Sequence, residues 1–290
     1  MNIRNQLLPK LYGLRVFDFS RKPILKKIYK TFKALGILIR DPWKLNFILD
    51  QNEEWEGFVR KKYQLTSLPV IPLASVIQDN ILVEPFAFLD GGSIPTDIAL
   101  LKQLASNIRN CRYFEIGTWR GESVSNVAAA ADICYSLNLP DEELLKLLNS
   151  EDFVASHRLF SNNFKNITHL SGDSRTFDYE SLNMKFDLIF IDGDHHYETI
   201  AKDTRNVLQY LCHEETIVVW HDYTYTPESI RYETLAAILD ACPPVLQPFL
   251  YHVKNTNCAL LYRKGMPSFS FKKFARPDHC FSVQIKVNPV

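Results

Sequence analysis

Two short segments gather side chains that could do chemistry. FDLIFIDGDHHYE, residues 186–198, sets an apolar run ahead of Asp192, Asp194, His195, His196 and Tyr197, and TIVVWHDY, residues 216–223, delivers His221, Asp222 and Tyr223 in the same way. Carboxylates and imidazoles at the ends of two buried runs are oxygen and nitrogen donors that suit a divalent cation, with no thiolate among them. Imidazole is the side chain that most often serves as a general base, which makes His195 and His196 candidates. A lone histidine reads as a loop or cap residue. Three among three aspartates, at two run ends, point to a site.

A third segment has a different chemistry. CRYFEIG, residues 111–117, leads into Thr118-Trp119-Arg120-Gly121-Glu122-Ser123 and an alanine-rich stretch. Gly117 and Gly121 let the backbone turn sharply and approach a ligand, and Glu115 can accept hydrogen bonds from a cationic or hydroxyl-bearing group. Their spacing is not the GxGxxG of dinucleotide folds, which argues against a nicotinamide cofactor. Trp119 and Arg120 are read equally as ligand contacts and as packing over the sheet end.

These residues need a scaffold that brings them to one edge. Apolar runs at 113–116, 133–137, 167–170, 186–191 and 216–220 alternate with helical patterns at about 122–131, 141–149, 197–211 and 227–240. That alternation predicts a parallel sheet with crossover helices, whose ligands bind beyond the carboxyl ends of the strands. Asn138 follows the second run, and Asp173 and Ser174 follow the third. The segment LYHVKNTNCALLYRK splits into two apolar stretches around Lys254-Asn255-Thr256-Asn257, which predicts an antiparallel hairpin closing the sheet. Ser93 or Thr96 is expected to cap a helix through Ile98 and Leu104 after the turn at Asp90-Gly91-Gly92.

The chain has 290 residues and no formal net charge, which gives the whole molecule no electrostatic pull toward nucleic acid. Its first fifty residues are nevertheless basic, with eleven lysines and arginines against Asp18, Asp41 and Asp50. Within them, Ile24, Ile28, Phe32, Leu35 and Ile39 recur at helical spacing between lysines. The pattern is that of an amphipathic helix, which either packs on its own domain or meets a membrane surface or an anionic glycan. No apolar run approaches the roughly 18 residues of a membrane span, and the six cysteines lack disulfide or zinc spacing, so a cytoplasmic protein is expected.

EIGTWRGES resembles motif I, E/D-x-G-x-x-x-G, of class I S-adenosylmethionine-dependent methyltransferases, in particular the branch with sugar and antibiotic O-methyltransferases and cephalosporin-hydroxylase-like proteins. The resemblance implies a doubly wound, Rossmann-like α/β fold: a seven-stranded, mostly parallel sheet with a C-terminal antiparallel hairpin and a mainly helical N-terminal extension. It implies a methyltransferase domain over 96–266, an extension or lid over 1–95 and a tail over 267–290. Glu115, Gly117, Thr118, Trp119, Gly121 and Ser123 would then serve the cofactor, with Asp173 and Ser174 near the adenine and Asp192 beside it. Asn138 stands where the family has an acidic ribose ligand.

In the metal-dependent O-methyltransferases, Asp192 would match the first magnesium ligand, and His221-Asp222 the position of the acidic pair. The histidine leaves magnesium, a softer cation or no metal open. The expected reaction is O-methylation of a small hydroxylated acceptor, a sugar or a secondary metabolite, with His195 or His196 as base and Tyr223 and Tyr225 beside the acceptor. An oligomer is compatible with this reading. Two alternatives stay open: a methyltransferase-like binding protein without turnover, and a metal-dependent hydrolase using the Asp/His cluster.

Overall fold

The computed structural model describes residues 23–42, 44, 51–77, 80–89 and 91–289. The basic residues before Pro23, as well as Trp43 and Asp90, lie outside the described residues. The chain divides into two units, 1–51 and 52–290. In the first, α1 (Pro23–Arg40) is a single 18-residue helix without an acidic side chain.

The second unit begins with α2 (Asn52–Tyr63) and β1 (Val70–Ile71), so part of the segment before residue 96 is built into the domain. After α3 (Pro95–Ser106) the chain alternates as its apolar runs predict: β2 (Arg112–Ile116), α4 (Glu122–Ala128), β3 (Ile133–Asn138), α5 (Asp141–Leu148), α6 (Glu151–Ser156), β4 (Ile167–Ser171), β5 (Phe186–Ile191), α7 (Tyr197–Asn206) and β6 (Cys212–Trp220). A π-helical turn, Val207–Leu211, carries α7 into β6. Beyond β6, β7 (Thr224–Thr226) and β8 (Ser229–Ile230) pair as a small ribbon, and α8 (Tyr232–Ala241) leads to the hairpin of β9 (Leu250–Val253) and β10 (Ala259–Leu261). The ribbon delays α8 by five residues from its predicted start at 227, because Pro227 sits in the turn that joins its strands.

The sheet order is β1-β9-β10-β6-β5-β2-β3-β4. It has eight strands where the resemblance implied seven. The extra one is β1, which pairs parallel with β9 and receives the tail on its other side, where Val70 and Phe269 exchange backbone hydrogen bonds of 2.8 and 2.9 Å. Strands β2 to β6 are parallel, and β10 runs antiparallel between β6 and β9.

Residues alternate between the two faces of the sheet, as strand geometry requires. Phe114, Ile189, Val218 and Trp220 join one core with residues of α2, α7 and α8. Tyr113, Leu188, Phe190 and Val219 join the other with residues of α3 and α4. The chain moves outward from β2 through β3 to β4, then returns to the other side of β2 with β5. The crevice at the ends of β2 and β5 is therefore the place where a doubly wound sheet takes its ligand.

Candidate active site

The loops after β2 and β5 touch at this crevice. The Asp192 N–H donates to the Ile116 carbonyl at 2.8 Å, and Gly117 adopts φ +89°. A β-carbon at 117 would lie 1.9 Å from the Asp192 carbonyl oxygen, so only glycine fits. Gly121, at φ +83°, starts α4 against Ser161. Between the two glycines, Trp119 stacks on Phe153 with ring centroids 5.2 Å apart, and the Arg120 guanidinium lies 4.2 Å from the indole centroid.

A cavity of about 660 Å³ opens above these loops. Gly117, Thr118, Trp119 and Ser123 line one wall, and Asn138, Asp173 and Ser174 line another. Asp192 and His195 close the side toward β5, while Leu144, Leu147 and Phe153 from α5 and α6 supply an apolar cover. Eight of the ten expected cofactor residues therefore share one space. Glu115 and Gly121 are not among its lining residues.

Glu115 is fully buried under the floor, where it accepts hydrogen bonds from the Tyr113 hydroxyl at 2.7 Å and from Ser136 at 3.3 Å. Burial pushes its carboxyl up to about 8, against the hydrogen bonds from Ser123 and Tyr113. It shapes the loop from beneath. Asp173 is held below its ordinary pKa by the hydrogen bond from Arg175 and stays ionised at the cavity edge.

Asn138 meets a relay that runs through a buried histidine to a half-exposed carboxylate. Its amide nitrogen contacts His157 Nε2, and His157 Nδ1 lies 2.6 Å from Asp141 Oδ1. Burial lowers the His157 pKa, so the ring is neutral and gives its one N–H to Asp141. Nε2 then accepts from Asn138, and the amide oxygen is left as the acceptor. An acceptor at this strand end is what a ribose hydroxyl requires.

At the end of β6, His221 is buried between carboxylates. Its Nε2 lies 3.0 Å from Asp97 Oδ2, and its Nδ1 lies 3.0 Å from Asp192 Oδ1 and 3.4 Å from Asp222 Oδ2. Nδ1 makes no aligned hydrogen bond despite these short distances. Burial disfavours the imidazolium, but the Asp192 charge, with the contacts to Asp192, Asp222 and Asp97, holds the His221 pKa well above its ordinary value. Asp222 adopts φ +52°, and its Oδ2 lies 2.9 Å from His195 Nδ1. Burial would raise Asp222, yet His195 and His221 keep it well below the usual carboxylate range.

Donor atoms of Asp192, His221 and Asp222 lie within 4.8 Å of one another, beside a pocket of about 10 Å³ that His195 also lines. That is about the space of one water-sized occupant. A cation would have to displace the proton that these carboxylates hold on His221 Nδ1; the freed nitrogen and the two carboxylates would then be its ligands, and Asp97 on the far nitrogen is the partner that metal-bound histidines usually have.

His195 faces the cavity, whereas His196, at the N-terminus of α7, has a side chain 79% exposed and bonded to Asp194 at 2.5 Å. Tyr223 is fully buried and accepts a hydrogen bond from the Leu68 N–H at 3.0 Å, so it braces the fold instead of meeting an acceptor. Tyr225 is 48% exposed, with the Arg231 guanidinium 5.3 Å from its ring centroid.

The sequence profile of a family described as a methyltransferase domain matches residues 114–223, the span from β2 to the end of β6. The match takes in the five parallel strands and about two fifths of the chain. Similar solved structures include the S-adenosylhomocysteine-bound methyltransferase PaMTH1 of Podospora anserina, at 14% identity over 73% of this chain and 88% of that one, with TM-score 0.42. CalS11, a TDP-rhamnose 3'-O-methyltransferase of calicheamicin biosynthesis, is 15% identical over 57% and 77%, with TM-score 0.37. An S-adenosylmethionine-dependent methyltransferase of Clostridium acetobutylicum is 18% identical over 44% and 50%, with TM-score 0.31. The chain thus spans half the length of the Clostridium protein, as it does of one from Bacillus halodurans. No curated protein matches the sequence.

Several residues around the site escaped sequence reasoning. Asp97 caps α3 by accepting from the Ile94 N–H at 2.9 Å, in place of the expected Ser93 or Thr96, and also accepts from the Asn257 N–H at 2.8 Å. Asp203, on α7, is 1% exposed, and neither of its oxygens has an aligned hydrogen bond; burial pushes it up to about 7. His157 carried no motif. Asp97 stands three residues after Ile94, a helix-start spacing, which is the one signal that could have found it.

Proposed function

We propose that the cavity binds S-adenosylmethionine and that the chain transfers its methyl group to a hydroxyl of a small acceptor, a sugar or a secondary metabolite, with a divalent cation held by Asp192, His221 and Asp222. The observation that carries this reading is Asp192, which lines the cofactor-sized cavity and also belongs to the Asp/His cluster. A cofactor site and a charged cluster that share one residue suit a reaction between a bound cofactor and an acceptor oxygen.

S-adenosylmethionine supplies an electrophilic methyl group on a sulfonium. The chain's own task is alignment and proton removal. The loop from Gly117 to Ser123 and the acceptor oxygen of Asn138 support a role in holding the cofactor, while Leu144, Leu147 and Phe153 exclude water. With Nδ1–H given to Asp222, His195 keeps Nε2 free to take the acceptor's proton. A cation at the cluster would lower the acceptor's pKa and orient it. The six free cysteines support a reducing, cytoplasmic setting.

Calorimetric titration with S-adenosylmethionine, with and without manganese, tests the reading. One-site binding that weakens in Asn138→Ala supports it, and labelled methyl transfer to a hydroxylated acceptor completes it. Binding without transfer to any acceptor would leave a domain that only binds, and no binding at all would overturn the cofactor assignment.

A further inference from the structure

Helix α1 stands outside everything the reaction needs. At about 100° per residue, Ile24, Leu25, Ile28, Phe32, Leu35 and Ile39 fall on one arc of the helix, and Lys26, Lys27, Lys30, Lys33 and Arg40 fall on the opposite one. Ile37 alone among the large apolar residues lies between the lysines. Ile24, Phe32 and Ile39 are 71%, 70% and 81% exposed. No described helix is long and apolar enough to cross a membrane.

We propose that α1 lies in the surface of an anionic lipid bilayer, its apolar arc among the acyl chains and its basic arc toward the headgroups. A helix with separated apolar and basic faces but low overall hydrophobicity rests in the interface instead of spanning it. The charge decides the occupant. Five cations without one anion on the helix complement an anionic surface. The surrounding sequence extends the same sign, with eleven basic residues against three acidic ones in the first fifty. The proposal is independent of the methyl-transfer reading, since no residue of the cavity takes part.

The test is co-sedimentation of the full-length protein with phosphatidylcholine vesicles, with and without phosphatidylglycerol. Sedimentation with the anionic vesicles, weakening as salt rises, is expected. A double substitution, Lys30→Gln with Lys33→Gln, should lower vesicle affinity about tenfold or more, and Phe32→Asp should abolish binding. Both variants should keep the parent's thermal midpoint, which separates lost binding from misfolding. Absence of sedimentation at low salt overturns the proposal, as does equal binding to neutral vesicles that ignores the lysine changes. Conversion of a dimer to a monomer by Phe32→Asp, without vesicle binding, would assign the apolar arc to a second copy and overturn it too.

Discussion

Asp97 Oδ2 and His221 Nε2 lie 3.0 Å apart with both residues buried, joining the start of α3 to the end of β6. The bond fixes which imidazole nitrogen faces Asp192 and Asp222. Asp97→Asn keeps the shape but weakens that grip, and should lower manganese affinity about 10- to 100-fold while leaving S-adenosylmethionine binding in place. Titration of the two ligands separately checks it. Unchanged manganese binding would remove Asp97 from the site.

The Asn138–His157–Asp141 relay predicts a cofactor effect from a residue that does not line the cavity. His157→Ala frees the Asn138 amide to turn its nitrogen inward. S-adenosylmethionine affinity should fall about tenfold, the worth of one well-placed hydrogen bond. Equal affinity by calorimetry would show that Asn138 orients itself.

The two candidate bases separate by position. His195→Ala should reduce methyl transfer by about 100-fold or more, whereas His196→Ala, on an exposed side chain, should change it by less than about twofold. The His195 pKa is raised by its hydrogen bond to Asp222, so the base form is depleted near neutrality and the rate should climb as pH rises above 6.5. Asp222→Asn should move that limb to lower pH.

Asp203 gives a stability prediction. Its ordinary value is 3.8, and in the fold burial pushes it up to about 7, so its contribution is intact below pH 3.8 and is lost as pH rises through 7. Asp203→Asn copies the protonated form. It should be more stable than the parent at pH 8, by up to about 4 kcal/mol, with the gap closing on acidification. Denaturant melts at both pH values measure it, and a gap that persists below pH 4 would contradict the burial argument.

Gly117→Ala should cost both stability and cofactor binding, because its β-carbon would meet the Asp192 carbonyl at 1.9 Å and its φ is +89°. A fall of several degrees in thermal midpoint is expected.

The sequence by itself determined the alternation of strands and helices, because apolar runs of strand length separated by helical periods leave little else to build. It also determined the polar strand ends: Gly117, Asn138, Asp173, Asp192 and His195 line one cavity because parallel strands end at one edge. The small β1 was not legible. Two residues are too few for a period, and β1 forms only because β9 offers an edge. Burial was not legible either, so Glu115 and Tyr223 read as ligand contacts although packing seals both. Only the tertiary structure decided that Asp97 holds His221 and that His157 orients Asn138, since those pairs stand 124 and 19 positions apart. Periodicity describes neighbours along one element, and contacts between elements depend on how helices and sheet pack.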